Sequence, residues 1–154
     1  MTVSIRQQLI DAIEARLETI TVGKVFALRS GDYVCQNTIK GVYPWRKTPF
    51  NPHELPAIEF WDASAETSPG EASRHAHELP IVLQVSTVGS QPASIARTLM
   101  EDIIACIGSD PRWGGLARWT NITAHGLMVE KAGDVVAGAQ ILFTVEYRTP
   151  LWRM

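Results

Sequence analysis

The chain has 154 residues and a formal net charge of -2, and this length suits one domain that buries a core without disulfides or metal. Hydrophobic residues make up 45% of the chain and charged residues 19%, and the Lys and Arg residues are scattered, which argues against a strong duplex-binding surface. No apolar stretch approaches the roughly 20 residues that span a bilayer, and the N-terminus lacks the continuous apolar stretch of a secretory signal, so we expect one domain over residues 1–154 without a membrane partner.

The first predicted element is a helix over residues 3–19. Ser4, with a glutamine three residues later, is typical of a capping box at its start. Apolar residues recur every four positions along this helix, at Ile5, Leu9, Ile13 and Leu17. The following residues, 21–37, fit either a short strand or a loop packed on the core, with a turn at Gly31-Asp32.

Two short strands are predicted next. Residues 38–46 predict a strand at the edge of a sheet, because Pro44 cannot donate to a hydrogen-bond ladder. After a proline-rich connection, residues 57–61 predict a second strand. Residues 62–78 hold almost no large apolar group, and such a segment cannot offset its ordering entropy by burial. We therefore expect a long mobile loop at about 62–78 that joins two strands.

The clearest predicted strand covers residues 79–88, where one face is formed by Leu79, Ile81, Leu83 and Val85. A second helix is predicted over 92–107, with proline in its first turn. Its apolar stripe consists of Ile95, Leu99, Ile103 and Ile107. Glu101 and Asp102 are consecutive acids and predict a solvated face of this helix.

Two strands complete the chain after a turn-rich connection at 109–118. The first covers 120–130, and the residues expected to share one face are Ile122, Ala124 and Met128. The second covers 135–148 and alternates cleanly between apolar and polar residues, with the turn between the two strands at 132–134. The order helix, strands, helix, strands predicts an α+β fold in which a mostly antiparallel sheet carries two helices packed on one face.

One histidine pair is a candidate metal site. His75 and His77 lie on one side of an extended chain, with Glu71 and Glu78 nearby, and imidazole with carboxylate suits zinc and similar ions. The segment is predicted as a solvated loop, however, and offers no third fixed ligand. The sequence therefore predicts no metal site.

Other reactive residue types also lack a catalytic setting. Cys106 lies beside the apolar stripe of the second predicted helix, where a buried and inert thiol is expected. Cys35 has no nearby histidine or acid at a spacing that would indicate a catalytic partner, and two cysteines make no disulfide framework. Gly114-Gly115 lacks the lysine of a phosphate-binding loop and predicts a backbone turn, and His125 is expected on the strand face opposite Ile122. We predict that the protein is not an enzyme and has no catalytic residue and no cofactor.

Tryptophan is frequent in this chain, with five in 154 residues. The residue type buries a large area and is enriched in interface hot spots, although the alternative that most of these tryptophans belong to the core stays open. The residues predicted for a self-assembly or tail interface are Trp45, Arg46, Trp113, Trp152 and Arg153.

The order of elements over about residues 3–149 resembles that of a known family. It runs from the early helix IRQQLIDAIEARLETI and the strand start LPAIEFWD to the strand LPIVLQVSTV, the helix ASIARTLMEDIIACIG, the turn DPRWGGLA and the hairpin up to FTVEYRT. This pattern is similar to the tail terminator and minor tail proteins of long-tailed phages and prophages, nearest to the lambda minor tail protein U family. Its most specific part is the second helix followed by DPRWGGLA.

The resemblance implies a structural virion protein that works without a catalytic site. Proteins of that family form hexameric rings on the completed tail tube, stop its polymerisation and present a surface for joining the head. The implied partners are other copies of the chain, the tail tube protein and a head-completion or connector protein, with DNA only as cargo that passes through the lumen. The implied location is the head-proximal end of the virion tail, after synthesis in the host cytoplasm.

Two alternative functions remain open at this point. A head-closure or neck component of the phage belongs to the same class of ring-forming virion proteins. A small host enzyme or ligand-binding domain would instead have a deep pocket lined by histidines and acids.

Overall fold

The structure is a computed structural model that describes residues 3–46, 48–89, 92–131 and 135–154. In chain order its elements are α1 (Ile5–Leu17), β1 (Val25–Leu28), β2 (Gly31–Val34), β3 (Gly41–Tyr43), β4 (Ala57–Asp62), β5 (Glu66–Pro69), β6 (Arg74–Val88), α2 (Pro92–Gly108), β7 (Trp119–Lys131) and β8 (Val135–Pro150). Short 3-10 turns lie at Pro52–Glu54 and Trp113–Gly115. Within the described ranges, neither helix is long and apolar enough to cross a membrane.

The molecule is built around one six-stranded sheet. Its strands lie in the order β3-β4-β6-β8-β7, and β5 pairs with β6 beyond the end of β4. The pairs are antiparallel except that of β3 with β4. β1 and β2 form a separate hairpin. Both helices contribute to one core on the same face of the sheet, so the predicted α+β class with a mostly antiparallel sheet is confirmed.

The core lies between this face and the two helices. β6 and β8 are paired from Arg74 with Pro150 to Val88 with Val136, and alternate side chains of both strands are buried, as their period of two predicts. The largest contributions come from Leu79, Ile81, Leu83 and Val85 of β6, Ile141, Phe143, Val145 and Tyr147 of β8, and Leu9, Ile13, Leu17, Leu99, Ile103 and Ile107 of the helices. Both predicted apolar stripes therefore face the sheet.

Helix α1 begins after Ser4, whose Oγ accepts a hydrogen bond from the backbone N–H of Gln7 at 3.1 Å. This bond satisfies a donor that the helix itself cannot use. The Gln7 side chain donates to Asp11 at 2.9 Å instead of returning to Ser4, so the cap is confirmed and the reciprocal half of the capping box is not formed. The start of α1 lies beside the last residue, because the Arg6 N–H donates to the carbonyl oxygen of Met154 at 3.5 Å.

The first half of the chain differs from its prediction in detail. The undecided segment 21–37 contains the β1–β2 hairpin, whose turn lies at residues 29–30, just before the predicted position. Gly31 opens β2 with a φ of +130°, a conformation that favours glycine. The strand predicted over 38–46 is shortened to β3, which lies at the edge of the sheet as expected.

The segment 62–78, predicted as one long loop, contains two paired strands instead. β5 and the start of β6 pair from Glu66 with Glu78 to Pro69 with His75, which leaves a turn at 70–73. Each residue of β5 is exposed, so backbone hydrogen bonds form this hairpin without apolar burial. The prediction was right that the segment joins strands and wrong about the length of the loop.

A β-bulge changes which residues of β7 face the helices. The pairing with β8 shifts at Thr123, between Ile122 and the residue after the bulge, and an extra residue moves all later side chains to the other face. His125 therefore joins Ile122 on the helix-covered face, and Ala124 and Met128 lie on the open face. The prediction that Ile122 shares a face with Ala124 and Met128 and lies opposite His125 was therefore wrong, whereas Ala124 and Met128 do share a face. The predicted turn at 132–134 lies outside the described residues.

Candidate functional site

His77, one of the two histidines of the candidate metal site, is buried and hydrogen-bonded through both ring nitrogens. The Thr67 hydroxyl lies 2.9 Å from Nδ1, and the Thr149 hydroxyl lies 2.8 Å from Nε2. The Thr149 hydroxyl also donates to the carbonyl oxygen of Arg153 at 3.0 Å. Because its hydrogen is used there, Thr149 accepts from His77, which fits a neutral ring that carries its hydrogen on Nε2. His77 thus links the β5–β6 hairpin to the C-terminal turn.

The environment of His77 favours the neutral ring. Burial lowers the pKa of His77, and His75 and Arg6 add smaller effects in the same direction. The Tyr147 ring stacks on the imidazole with centroids 4.7 Å apart. Within the part of the chain that the structure describes, no three His, Cys, Asp or Glu side chains come together in a way that suits a metal ion. The geometry therefore assigns His77 a structural role.

Both cysteines are core residues. Cys35 is 2% exposed and Cys106 is fully buried. Burial raises the pKa of Cys35 to about 11 and that of Cys106 to about 12. A thiol that stays protonated is a poor nucleophile, so the buried and inert state predicted for Cys106 applies to both residues.

Asp102 was predicted on a solvated helix face, and this prediction was wrong because the residue is fully buried. Its carboxylate accepts hydrogen bonds from the Tyr33 hydroxyl at 2.7 Å and from the backbone N–H groups of Gln36 and Asn37 at 3.0 Å each. The Asn37 amide adds a fourth bond at 3.0 Å. These four donors replace the hydrogen bonds from water that the carboxylate loses when it is buried. Asp102 therefore links the segment after β2 to α2, and its position four residues before the buried Cys106 was the signal that could have revealed it.

Trp113, predicted as an interface residue, belongs to the core and is 2% exposed. Its indole N–H donates to the Thr120 hydroxyl at 2.9 Å, and the Arg16 guanidinium lies 3.8 Å from the ring centroid. Arg16 also pairs with Asp110 at 3.4 Å, and the Asp110 carboxylate accepts from the backbone N–H of Gly114 at 2.7 Å. The DPRWGG turn is thus a packed structural unit, and the prediction that Trp113 lies on an interface is corrected.

A group of exposed apolar side chains lies near the start of α1 and in the C-terminal turn. We call it the terminal patch and define it by Val3, Trp45, Leu151, Trp152 and Met154, each at least 42% exposed. Met154 borders one depression together with Val3 and a second one together with Trp45. Single exposed apolar residues are ordinary, but a cluster of this kind is typical of an interaction surface.

Two tryptophans dominate the terminal patch. Trp152 is 88% exposed and Trp45 is 69% exposed. Trp152 packs edge-on against His75, with ring centroids 5.3 Å apart. An aromatic group held in this way loses little further freedom when a partner covers it, which favours tight contact.

Two arginines, Arg46 and Arg153, border the terminal patch, and they differ in their contacts within the chain. Arg46 pairs with Glu54 at 2.7 Å and lies over the rings of Tyr43 and Phe50, 4.8 and 4.3 Å from their centroids. Its charge therefore stabilises the turn that follows Trp45 through contacts within the chain. Arg153 is exposed in the C-terminal turn.

The predicted interface residues thus separate into three groups. Trp45 and Arg153 each border a depression together with Met154, and Trp152 is exposed in the same C-terminal turn as Arg153. Arg46 is paired with Glu54 beside Trp45, and Trp113 lies in the core. Val3 and Met154 were missed, since their contribution depends on the two ends of the chain lying side by side. No protein-family model matches the chain, and no curated protein matches its sequence.

Proposed function

We propose that this protein is a structural component of a phage virion that closes the head-proximal end of the tail tube as a ring of six copies and provides the surface for joining the head. The order of its elements, which resembles that of tail terminator proteins, supports the proposal, and the α+β fold agrees with it. The observation that carries it is the terminal patch, in which Trp45 and Trp152 stand exposed beside both ends of the chain.

The terminal patch has the properties of one half of a ring contact. A closed ring needs a contact between two different surfaces of neighbouring copies, and large aromatic residues supply most of the energy in such contacts. Covering an aromatic side chain removes roughly 150–250 Å² from water, which corresponds to about 4–6 kcal/mol before the costs of ordering are subtracted. We therefore expect the two tryptophans to contribute more to such a contact than the other residues of the patch.

The interior of the protein supports a structural function as well. Asp102 is bonded to the segment after β2, His77 to the C-terminal turn, and the Cys106 thiol to the carbonyl oxygen of Arg16 at 3.5 Å. Each of these ionisable groups connects parts of the chain that are distant in sequence. Their chemistry is therefore used to hold the fold together, which agrees with a protein that acts through its surface.

The test is assembly on purified tail tubes that lack their terminator. Native mass spectrometry and negative-stain electron microscopy should show six copies of the protein as a ring on the open tube end. Trp152→Ser and Trp45→Ser should each weaken ring formation at least tenfold. Val22→Ser is the control, because Val22 is 67% exposed and follows the C-terminal end of α1, whereas the patch lies at its start.

The outcomes separate the alternatives. A ring that binds the head portal and ignores tail tubes would replace the tail terminator by a head-closure or neck component. Rings that form equally well with both patch variants would contradict the assignment of the interface. Failure to bind any virion part at high protein concentration would overturn the proposal as a whole.

A further inference from the structure

The C-terminal turn, residues 150–154, holds a tryptophan in an unusual backbone conformation. Trp152 has a φ of +64°, which is rare for a bulky residue and persists where other contacts hold the chain. Here the Arg153 N–H donates to the carbonyl oxygen of Pro150 at 3.3 Å, and the Thr149 hydroxyl donates to the carbonyl oxygen of Arg153 at 3.0 Å. These bonds fix the turn while the Trp152 side chain stays 88% exposed. The turn therefore presents the indole ring outward.

A positive charge lies next to this ring in the chain. Arg153 is exposed, and it forms no ion pair with any residue that the structure describes. The turn thus offers an aromatic ring and an adjacent guanidinium. A surface that complements it needs an apolar wall beside a negative charge.

A groove on the open face of the sheet has both properties. Its volume is about 420 Å³, which lies in the range of sites that hold small molecules. Residues from β4, β6, β7 and β8 line it, together with the segment that joins β3 to β4. Its apolar residues include Pro49, Phe50, Pro52, Leu55, Val88 and Met128.

The groove contains one negative charge that no described cation neutralises. Glu59 is the charged side chain among its described lining residues, and it takes part in none of the ion pairs of the described chain. The nearest cation along the groove wall is Arg46, which lies over the Phe50 ring at 4.3 Å and is paired with Glu54 at 2.7 Å. The groove therefore suits an aromatic ring that has a positive charge beside it.

The turn of one copy cannot reach the groove of the same copy. Gly138 lines the groove and Pro150 begins the turn, and the two lie twelve positions apart on the extended strand β8. Twelve residues of strand are about 40 Å long, whereas the four residues after Pro150 extend at most about 14 Å. A second copy of the chain supplies a ring and a guanidinium in the required order.

We propose that the C-terminal turn of one copy enters the groove of the next copy, with the Trp152 ring against Phe50 and the Arg153 guanidinium on the Glu59 carboxylate. The two surfaces lie at opposite ends of β8 and differ from each other, so each copy can give its turn to one neighbour and receive the turn of the other. This is the head-to-tail contact from which a closed ring is built. The inference rests on the proposed function, because it names the second surface of the ring contact.

Charge reversal tests the pairing of Arg153 with Glu59. Arg153→Glu and Glu59→Arg should each weaken ring formation on tail tubes at least about tenfold, because each brings like charges together at the contact. The double variant restores opposite charges and should recover most of the loss. Glu18→Arg is the matched control, because it reverses an exposed charge at the C-terminal end of α1 and should leave assembly unchanged. Urea unfolding checks that all four variants are folded.

Cross-linking tests the same contact without tail tubes. A chain with Met154→Cys is mixed at high concentration with a chain with Ser86→Cys and a short bis-maleimide. A mixed pair should form, because Met154 follows the inserted residues, Ser86 lines the groove and both native cysteines are buried. Arg153→Glu in the first chain should lower the yield, and Glu59→Arg in the second chain should restore it. Val22→Cys in place of Ser86→Cys is the control and should give little mixed product.

The outcomes separate this contact from the proposed function. Rings that form as well with both single charge reversals as with the wild type would overturn the inference and leave the function intact. Loss of the ring that the double variant does not recover, without the mixed cross-link, would also overturn it and would assign the groove to another virion protein. A mixed cross-link with charge rescue, in a chain that binds no virion part, would contradict the proposed function alone.

Discussion

Replacing Asp102 with Asn tests the buried carboxylate directly. One carboxylate oxygen accepts from the Tyr33 hydroxyl and the Gln36 N–H, and the other accepts from the N–H and the side-chain amide of Asn37. An asparagine side chain must turn its NH₂ group toward one of these pairs of donors. At least one backbone N–H then loses its acceptor, which costs about 1–3 kcal/mol, and the remaining bonds lose the strength that a charged acceptor gives them. We expect a loss of about 3 kcal/mol.

Urea unfolding followed by tryptophan fluorescence measures this loss. With a denaturant slope of about 2 kcal/mol per molar urea, a loss of about 3 kcal/mol lowers the unfolding midpoint by about 1.5 M. The melting temperature should fall by about 6–12 °C for a domain of this size. Glu101→Gln is the matched control, because it removes the same charge from the adjacent, exposed position and should change stability by less than about 0.5 kcal/mol. Equal midpoints for the two variants would refute the role of Asp102.

Three further predictions concern the other buried groups. Thr120→Val removes the acceptor of the Trp113 indole N–H and should cost about 1–3 kcal/mol in the urea assay; an unchanged midpoint would argue against that bond. The pKa of His77 is lowered in the folded state, so the unfolded chain binds a proton first as the pH falls. The free energy of unfolding should therefore be highest above pH 6.5, the ordinary pKa of histidine, and should decrease below it. His77→Gln should flatten this decline in unfolding curves taken at several pH values, and parallel profiles would contradict the assignment. A thiol reagent should modify Cys35 and Cys106 only after unfolding, and rapid modification of either thiol in the native protein would disprove its burial.

The regular elements follow from local patterns that tertiary structure reinforces. In β6, every second residue from Leu79 to Val85 is buried, so a period of two is visible in the sequence. In α2, Leu99 and Ile103 are buried one helical turn apart, so the helical period is equally visible. Such a period arises because only one side of the element is buried and therefore apolar.

Elements that rely on backbone pairing or on single polar contacts leave no such pattern. The β5–β6 hairpin has exposed residues in β5 and pairs through its backbone, so composition alone predicted a loop. The sequence predicts a solvated Asp102, because a consecutive pair of acids is usually solvated. The donors that satisfy its carboxylate belong to Gln36 and Asn37, more than 60 positions earlier. The bulge at Thr123 reverses the faces of β7 without any change in the alternation of residue types.

The candidate site was predicted in part for a similar reason. Trp45, Trp113 and Trp152 are the same residue type, and the sequence contains no local sign that one of them is buried. Trp113 lies in the core because Arg16 covers its ring from α1 and Thr120 accepts its N–H from β7. Only the three-dimensional arrangement separates it from the two tryptophans that remain at the surface.

The long pairing of β6 with β8 also determines how fast this chain reaches its native state. Arg74 pairs with Pro150 and Val88 with Val136, so the partners are 76 to 48 positions apart and a large loop must close before the central ladder forms. Closure of such loops slows folding, and proteins dominated by distant contacts fold in milliseconds to seconds. The β7–β8 hairpin and α2 need no such closure, so we expect them to form before β6 pairs with β8. During that interval the inner edge of β8 stays uncovered, which makes the refolding yield of this protein sensitive to its concentration.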